Sequence, residues 1–455
     1  MAGEIVAFTQ GVFIRHSGDE SLVWNPRTGG CSVMRDCQPF LEEISWAWRE
    51  ESEIVAAIVA KFGCPVSEVQ GDFAMVLEEL REQEFVEAQD ERDGEGDVAV
   101  QGREEAQDGR GSEDAVVSQD DFPLGDFCAR HGIPCELHLD LTDACTERCV
   151  HCYVPQGQRD FLPYDMAEKS LREFRAMNGL SVHLTGGECM MHPDFVRICR
   201  LCKELNLNMI VFSNLTLCEE KMVEAMREVD PQFINVSLYA MIPEVHDAIT
   251  RIPGSWQRTM DALLRCEKAG VHCRIATPLL KENKGEFAAL KAFADEHRTH
   301  LVPSYDIIAK SNHDCSNLCH ACSVEEIQEV LERDSDIFGK EWNREMPSSD
   351  RKVCDIGDAR LYLNAKGNYY PCDSMHEYVL GNVRTHTVGE IWRGEKLEYL
   401  RSLKNRDFGA CASCEHRPFC KVCPAFNFNA TGDLFRTIPE KCALSAVVHG
   451  VYGGR

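Results

Sequence analysis

The residues with the clearest chemistry are three cysteines in the stretch LTDACTERCVHCYVP, residues 141–155. Cys145, Cys149 and Cys152 follow a C-x3-C-x2-C spacing, and Tyr153 comes directly after the last of them. Three thiolates leave one corner of a tetrahedral metal ion empty, but they suit three irons of a [4Fe–4S] cube whose fourth iron takes another ligand. A zinc site that lacks one ligand and chance clustering of cysteines are the alternatives that the spacing leaves open.

Two predicted strands give this triplet its context. An alternating apolar run at 136–141 precedes the cysteines, and a second run at 181–184 leads into Gly186, Gly187 and Glu188. A cysteine loop after a first strand and a Gly-Gly-Glu motif after a second resemble the radical S-adenosylmethionine (SAM) superfamily. The resemblance implies that SAM chelates the open iron and is cleaved to methionine and a 5′-deoxyadenosyl radical, which removes hydrogen from a substrate. It also implies that the glycines let the backbone approach the methionyl group and that Glu188 accepts from its ammonium.

Strand and helix patterns alternate over residues 136 to about 307. The predicted strands lie near 136–141, 181–184, 208–212, 233–239, 271–277 and 302–307, and the predicted helices include 166–177, 194–205, 256–269 and 284–297. Alternating units of this kind form parallel sheets with right-handed crossovers. Six units fit a partial (β/α)6 TIM-type barrel better than a complete eight-unit barrel, so the fold class is α/β.

Several residues in the loops after these strands are candidate SAM contacts by resemblance. Ser213, Asn214 and Ser237 would hydrogen-bond the ribose and carboxylate, and Tyr153 would support the adenine. Turn capping by the first three and ordinary core packing of the tyrosine are the alternatives. Cys189 stands where the family often has proline after the Gly-Gly-Glu motif. It places a spare thiol near the site and is a candidate hydrogen donor, and no catalytic residue or general base is otherwise identified.

Seven ordered cysteines form a further system near the C-terminus. They are Cys354, Cys372, Cys411, Cys414, Cys420, Cys423 and Cys442. This order resembles the SPASM extension of radical SAM enzymes, which holds auxiliary [4Fe–4S] clusters, although the last close pair here is C-x2-C and the family usually has one more intervening residue. The family pattern implies two ligand sets: Cys411, Cys414, Cys420 and Cys442 for one cluster; Cys354, Cys372, Cys423 and an upstream eighth ligand for the other. Zinc is the alternative metal for such pairs.

The eighth ligand is not evident in the sequence. Cys315, Cys319 and Cys322 repeat the C-x3-C-x2-C spacing, but the first barrel strand does not precede them, so they are not interpreted as a second SAM site. Either one of these three completes the auxiliary cluster, or that cluster keeps an open iron that binds a substrate thiol.

The first part of the chain predicts a small separate domain. Residues 11–15 and 21–24 predict a hairpin, and helical periodicity follows near 38–48, 51–62 and 66–83. This winged-helix-like α+β pattern resembles the leader-peptide recognition domain related to the peptide chaperone of pyrroloquinoline quinone biosynthesis (PqqD-like). In that family a leader peptide adds as a strand to a sheet edge. A DNA-binding winged helix, which the acidic composition disfavours, and a packing module without a ligand are the alternatives.

Composition sets the remaining limits. The chain has 455 residues, 24 cysteines and a formal net charge of −27, which argues against nucleic acid and anionic membranes as partners. No apolar run approaches a membrane span, no targeting segment is evident, and metal ligation in a reducing cytosol accounts for the cysteines better than disulfides do. The predicted domains are 1–88 for leader recognition, an acidic flexible linker at 89–130, the barrel at 131–345 and the SPASM domain at 346–455.

Together these features resemble a radical SAM maturase of ribosomally made peptides. The expected partners are a precursor peptide with its leader and an electron donor such as flavodoxin or ferredoxin. An oxidative thioether or C–C crosslink is the expected product, since auxiliary clusters accept an electron. Epimerisation, modification of a protein as in sulfatase activation, and a non-catalytic iron–sulfur electron carrier or redox sensor are the alternatives.

Overall fold

The structure is a computed structural model that describes residues 4–44, 46–90, 123–155, 157–310, 312, 314–338, 345–354, 356–375, 377–420 and 422–453. These residues form two compact units, Met1–Ile133 and Pro134–Arg455. Among the described residues, none of the helices combines the length and apolar character that crossing a membrane requires. The central part of the predicted linker, 91–122, lies outside the described residues.

The first unit is built from short strands and helices. Its strands are β1 (Glu4–Phe8), β2 (Phe13–Ser17), β3 (Glu20–Trp24), β4 (Cys31–Arg35), β5 (Arg49–Glu50) and β6 (Val86–Asp90). Its helices are α1 (Gln38–Glu43), α2 (Glu51–Phe62), α3 (Val66–Glu82) and α4 (Pro123–His131). The strands form two antiparallel three-stranded sheets in the orders β2-β3-β4 and β5-β1-β6. Apolar residues from one face of each of α1, α2 and α3 fill the core of this unit.

The predicted hairpin is confirmed, with Phe13 of β2 opposite Trp24 of β3. The helix predicted at 38–48 is too long, because the chain leaves the helix at Ile44, which is extended, and continues into β5 beside β1. Four further strands, β1, β4, β5 and β6, were not predicted. The role of this unit in leader recognition stays a prediction.

Helix α4 occupies the last part of the range predicted as linker. Arg130 and His131, in its last turn, each lie 2.9 Å from a carboxylate oxygen of Glu20 on β3. The hydrogen bond from His131 and the nearby arginines lower the pKa of Glu20 against the opposing effect of desolvation. Residues 123–131 are therefore an ordered part of the first unit.

The second unit contains a nine-stranded sheet in the order β12-β11-β10-β9-β8-β7-β13-β14-β15. The strands are β7 (Glu136–Thr142), β8 (Ser181–Gly186), β9 (Asn208–Ser213), β10 (Phe233–Ser237), β11 (Cys273–Pro278), β12 (His300–Ser304), β13 (Arg360–Leu363), β14 (Asn368–Tyr370) and β15 (Gly381–Asn382). Neighbouring strands from β7 to β12 are parallel, which confirms the predicted α/β architecture of six successive strands.

Helices connect these strands and cover one face of the sheet. They are α5 (Tyr164–Ala176), α6 (Phe195–Glu204), α7 (Glu220–Val229), α8 (Pro243–Thr250), α9 (Ser255–Lys268), α10 (Phe287–Glu296), α11 (Val324–Arg333) and α12 (Ser335–Phe338). Leu137, Leu139 and Leu141 alternate along β7 and are fully buried in the core that these helices share with the sheet. Because strand side chains alternate, Glu136, His138 and Asp140 point to the opposite face of the sheet, which we term the lumen side.

The C-terminal part adds to the same sheet. Strand β13 pairs in parallel with β7, and the antiparallel strands β14 and β15 continue from it. In the described residues beyond β15, the α-helices are α13 (Val388–Trp392), α14 (Glu395–Ser402), α15 (Pro424–Thr431) and α16 (Pro439–Tyr452). The cysteine-rich segment is thus fixed directly beside the strand that leads into the first cysteine triplet, an arrangement that the sequence analysis did not predict.

Candidate active site

The loop after β7 brings the first three cysteines together. Burial raises the pKa of the Cys145, Cys149 and Cys152 thiols, and repulsion from the Cys152 sulfur raises the pKa of the other two further. Cys145 is exposed and the other two cysteines are half-buried, so the loop is open on one side. Neighbouring thiols whose pKa values are raised need a cation to remain thiolates. The donor set therefore fits a metal cluster held by three sulfurs, although its ligand roles stay predictions.

Hydrogen-bond donors surround two of these sulfurs. The Glu147 backbone N–H lies 3.4 Å and the Asn214 Nδ2 3.7 Å from the Cys145 Sγ. The Tyr239 hydroxyl lies 3.6 Å from the Cys149 Sγ. Donors to thiolate sulfurs orient the ligands of iron–sulfur clusters and tune their reduction potentials. Tyr239 was not predicted, although it lies only two residues after Ser237.

The two glycines of the Gly-Gly-Glu motif are required by the cysteine loop itself. Gly186 has a φ of +131°, and a Cβ on it would lie 2.3 Å from the Thr142 carbonyl oxygen. A Cβ on Gly187 would lie 2.4 Å from the Ala144 carbonyl oxygen. The backbone N–H groups of Gly187 and Glu188 also donate to these two carbonyls, at 2.7 and 2.8 Å. The end of β8 therefore packs directly on the backbone of the cysteine loop. This packing requires glycine at both positions, independently of any contact with SAM.

Glu188 links the ends of β8 and β9. Its carboxylate is fully buried and accepts from the Met190 N–H at 3.0 Å, the Ser213 hydroxyl at 2.9 Å and the Asn214 N–H at 2.8 Å. Burial raises the pKa of Glu188, and these hydrogen bonds oppose the shift. Met190, Ser213 and the Cys189 Sγ, which lies 3.9 Å away, contact Oε1, whereas Asn214 contacts Oε2. Because a carboxylate oxygen has about two acceptor positions, one on Oε2 remains for the predicted ammonium contact.

The other predicted SAM contacts also lie near the cysteine loop. The Asn214 side chain also donates to the Thr146 hydroxyl at 3.0 Å, and the Ser237 side chain hydrogen-bonds Tyr239. Tyr153 is half-buried, and its pKa is raised by burial and by the nearby Asp140 carboxyl. The structure thus gathers these side chains near the cysteine loop, and their contacts with SAM stay predictions.

Cys189 lies in the core. Its side chain is fully buried, and its thiol donates to the Phe212 carbonyl at 3.2 Å. Burial and the charge of Glu188 raise the pKa of this thiol. The role of Cys189 as a hydrogen donor stays a prediction, and this burial weighs against it.

The C-terminal cysteines fall into two groups in space. Burial raises the pKa of the Cys372 thiol, and Asp373, Cys423 and Cys354 raise it further. Burial also raises the pKa of Cys411, followed by repulsion from Cys420, Cys442 and Cys414. The close pair at 420 and 423 is therefore divided between the groups, and the assignment of each group to one cluster stays a prediction.

The second C-x3-C-x2-C triplet lies in another environment. Cys315 and Cys319 are exposed, and the Cys319 thiol donates to the Ser316 carbonyl at 3.0 Å. Cys322 is half-buried, and its pKa is raised to about 11 by burial and by Glu326, with Lys284 opposing. Asn317, between these cysteines, donates to the His151 carbonyl at 3.1 Å, so this loop packs on the first cysteine loop. An eighth ligand among the three stays a prediction.

One polar pair in the lumen was missed by the sequence analysis. Asp140 of β7 accepts a hydrogen bond from the Tyr362 hydroxyl of β13, and its other oxygen has no hydrogen-bond partner within the described part of the chain. Burial raises the pKa of Asp140, as do Asp143 and Asp373. The sequence of β7 could have predicted Asp140 as a polar group on this face, because polar residues occupy every second position between buried leucines.

Comparison with known proteins identifies the two parts of the second unit. Residues 139–294 match the radical SAM superfamily, and residues 354–415 match the iron–sulfur cluster-binding domain called SPASM. The chain therefore contains a radical SAM domain and a SPASM domain, and it is an enzyme. Its cofactors are therefore [4Fe–4S] clusters and SAM, as predicted. The alternative of a non-catalytic electron carrier is set aside.

Relatives of this enzyme carry out different reactions. It is 26% identical over 336 residues to an AdoMet-dependent heme synthase of Methanosarcina barkeri, covering 66% of this chain and 94% of that protein. It is 23% identical over 331 residues to the antilisterial bacteriocin subtilosin biosynthesis protein AlbA of Bacillus subtilis, covering 66% and 71%. The crystal structure of Streptococcus suis SuiB bound to precursor peptide SuiA has a TM-score of 0.61 at 14% identity and covers 96% of this chain and 98% of SuiB. At that identity the match shows a shared fold.

Proposed function

We propose that this enzyme matures a ribosomally made precursor peptide by forming an oxidative crosslink, either a thioether or a C–C bond. The observation that carries the proposal is the combination of a separate α+β unit with the cysteine-bearing barrel, both of which are covered by the alignment to SuiB. SuiB, which shares the fold of both units, was solved with its precursor peptide, and AlbA acts in biosynthesis of the bacteriocin subtilosin; both support a peptide substrate.

Different residues of this chain would bind the cluster, orient SAM and exchange a proton. Cys145, Cys149 and Cys152 would hold the SAM-binding cluster, and Glu188 would orient the SAM ammonium through its remaining acceptor position. When bound, these cofactors supply a 5′-deoxyadenosyl radical for hydrogen abstraction, and the auxiliary clusters supply an electron acceptor. Asp140, beside the cysteine loop, is placed to exchange a proton with a group that enters the lumen.

The first unit would bind the leader of the precursor. Each of its two three-stranded sheets has end strands to which an extended peptide can add by main-chain hydrogen bonds. The net charge of −27 favours a leader with basic residues. A small electron-transfer protein, flavodoxin or ferredoxin, would reduce the cluster.

The test is mass spectrometry of a short cysteine-containing peptide encoded beside this gene, co-expressed with the enzyme. A loss of about 2 Da per event indicates a crosslink, whereas unchanged mass with deuterium uptake indicates epimerisation. The matched control is Cys149→Ser, which removes one cluster ligand from the same full-length protein. Unmodified peptide with an enzyme that still forms 5′-deoxyadenosine would contradict this substrate.

A truncation separates leader recognition from chemistry. Without residues 1–133, the second unit should still cleave SAM slowly to 5′-deoxyadenosine but should leave the peptide unmodified. If modification survives unchanged, the enzyme acts without leader recognition, as a protein maturase of the sulfatase-activating kind would.

A tetrapyrrole is the second candidate substrate, and the similarity to the heme synthase of Methanosarcina barkeri favours it. Incubation of the reduced holoenzyme with SAM and iron coproporphyrin III, followed by chromatography, decides between the two. Heme formation above that of the Cys149→Ser variant would support the tetrapyrrole and displace the peptide proposal.

A further inference from the structure

Three potential metal ligands converge on the lumen side of the sheet, at the N-terminal end of β7. They are Glu136 and His138 of β7 and His183 of β8, and one ligand atom from each lies within 4.8 Å of the other two. His138 and His183 are directly opposite in the parallel pairing, with ring centroids 4.2 Å apart. The Glu136 Oε2 lies 3.4 Å from the His138 Nε2. The cluster is thus set by strand register rather than by a loop.

The cysteine loop lies at the opposite end of β7. His138 is four residues before Thr142, which ends the strand, so about 13 Å of extended chain separates it from the start of that loop. The ligands of the SAM cluster therefore do not reach this group.

The chemical states of these side chains suit a cation. Burial and the neighbouring His138 lower the pKa of His183 to about 3, so its imidazole is neutral at pH 7. Burial opposes ionisation of Glu136, but the hydrogen bond from His138 and the positive charge of Arg360 favour its carboxylate and hold its pKa below the ordinary value. The His183 Nδ1 is closed to solvent and has no hydrogen-bond partner within the described ranges. Buried polar atoms of this kind usually bind a hydrogen-bonding group or an ion.

We propose that Glu136, His138 and His183 bind a divalent transition-metal ion, with Zn²⁺ as the reference metal, in addition to the iron–sulfur clusters. Two imidazoles and one carboxylate are a ligand set found for zinc and for non-haem iron. Three protein ligands leave a further coordination position. Water, or an oxygen atom of a group that enters the lumen, would occupy it.

Arg360 of β13 is the charged neighbour of this site. Its Nε lies 3.6 Å from the Glu136 Oε2, and the two residues are opposite each other in the pairing of β13 with β7. Carboxylates that bind metals are commonly held by a second residue in this way, and the guanidinium would orient Glu136. Its positive charge also weakens the site, so we expect a moderate affinity.

The experiment uses the full-length holoenzyme, reconstituted anaerobically so that the cysteines are occupied by iron and sulfide. One equivalent of Zn²⁺ is added, unbound metal is removed, and bound zinc is measured by mass spectrometry together with the zinc K-edge absorption spectrum. We expect about one zinc per chain, with nitrogen and oxygen neighbours that include two imidazoles. Absence of retained zinc, or a spectrum dominated by sulfur, would overturn the proposal without reference to any variant.

Two variants and a control test the assignment to these residues. His138→Gln and His183→Gln should each lower zinc affinity by more than about tenfold while leaving iron content and the far-ultraviolet spectrum unchanged. His297→Gln alters a histidine that pairs with Glu267 on the outer helices and should bind zinc like the wild type. Equal zinc binding in all four proteins would place the metal elsewhere and refute the assignment.

Discussion

The Tyr239 hydroxyl lies 3.6 Å from the Cys149 Sγ, and the tyrosine ring packs beside Cys149 against Val150, Ile249 and Leu280. The contact crosses 90 residues of sequence. It joins the chain just beyond β10 to the loop after β7. A single hydroxyl donor is thereby held on a predicted ligand of the SAM-binding cluster.

Loss of this donor should lower the reduction potential of that cluster. The reduced cluster is more negative, so a hydrogen-bond donor stabilises it by about 0.5–1.5 kcal/mol relative to the oxidised cluster. Loss of this donor in Tyr239→Phe therefore predicts a potential lower by about 20–60 mV. The measurement is a redox titration followed by electron paramagnetic resonance of the signal that changes when SAM is added.

Tyr369→Phe is the matched control for this shift. Tyr369 is also a buried tyrosine, and its hydroxyl lies 2.8 Å from the Ser170 hydroxyl rather than near the first triplet. A potential that is identical in all three proteins would show that Tyr239 packs against Cys149 without tuning the cluster.

Substitution of Gly187 should release the cysteine loop. A methyl group there would lie 2.4 Å from the Ala144 carbonyl oxygen, and neither backbone can move without breaking the hydrogen bonds that join them. We expect Gly187→Ala to lower the free energy of unfolding by about 2–4 kcal/mol and to reduce iron retention. The measurements are urea denaturation and iron content.

Gly285→Ala provides the comparison for this prediction. A Cβ on Gly285 meets no heavy atom within 4 Å, so its stability and iron content should match the wild type. Similar losses in both variants would mean that the close approach at Gly187 is not the cause.

The two C-terminal cysteine groups should lose their clusters separately. Cys423 lies with Cys372 and Cys354, whereas Cys411 lies with Cys414, Cys420 and Cys442. We expect Cys423→Ala and Cys411→Ala each to lose about four irons, and the double variant to lose about eight. Iron and sulfide analysis with Mössbauer spectroscopy checks this additivity. If either single variant loses both clusters, the two groups do not assemble independently.

Asp140 should make stability depend on pH. Burial is the main reason that its folded-state pKa is raised, so the folded state binds this proton more tightly than the unfolded state does. The stability that Asp140 contributes is therefore full below the ordinary carboxyl pKa of about 4 and is lost as pH rises through the folded-state value. Asn at this position accepts from Tyr362 and does not titrate.

We therefore expect Asp140→Asn to gain stability relative to the wild type between pH 5.5 and pH 8. The urea midpoint at the two pH values measures the gain, and Glu224→Gln, which alters an exposed carboxylate on α7, is the control. A difference between variant and wild type that is the same at both pH values would show that Asp140 does not titrate in this way.

The sequence by itself determined the features that depend on near neighbours. The spacing of Cys145, Cys149 and Cys152 fixes three sulfurs in one loop, whatever the rest of the chain does. Alternation of leucine with polar residues in β7 likewise determines which of its faces enters the core. The order of six parallel strands follows from the alternating patterns and the preferred handedness of their crossovers.

Only the tertiary structure decided which distant side chains meet. The pairing of β13 with β7 sets Arg360 opposite Glu136 and Tyr362 opposite His138, from where the tyrosine hydroxyl reaches Asp140. The register of β7 with β8 sets His138 against His183. Strand neighbours and their register depend on packing over the whole sheet, and a shift by one residue would turn each side chain to the other face. Local spacing therefore predicts the cluster-binding loop, but long-range register creates the polar lumen behind it.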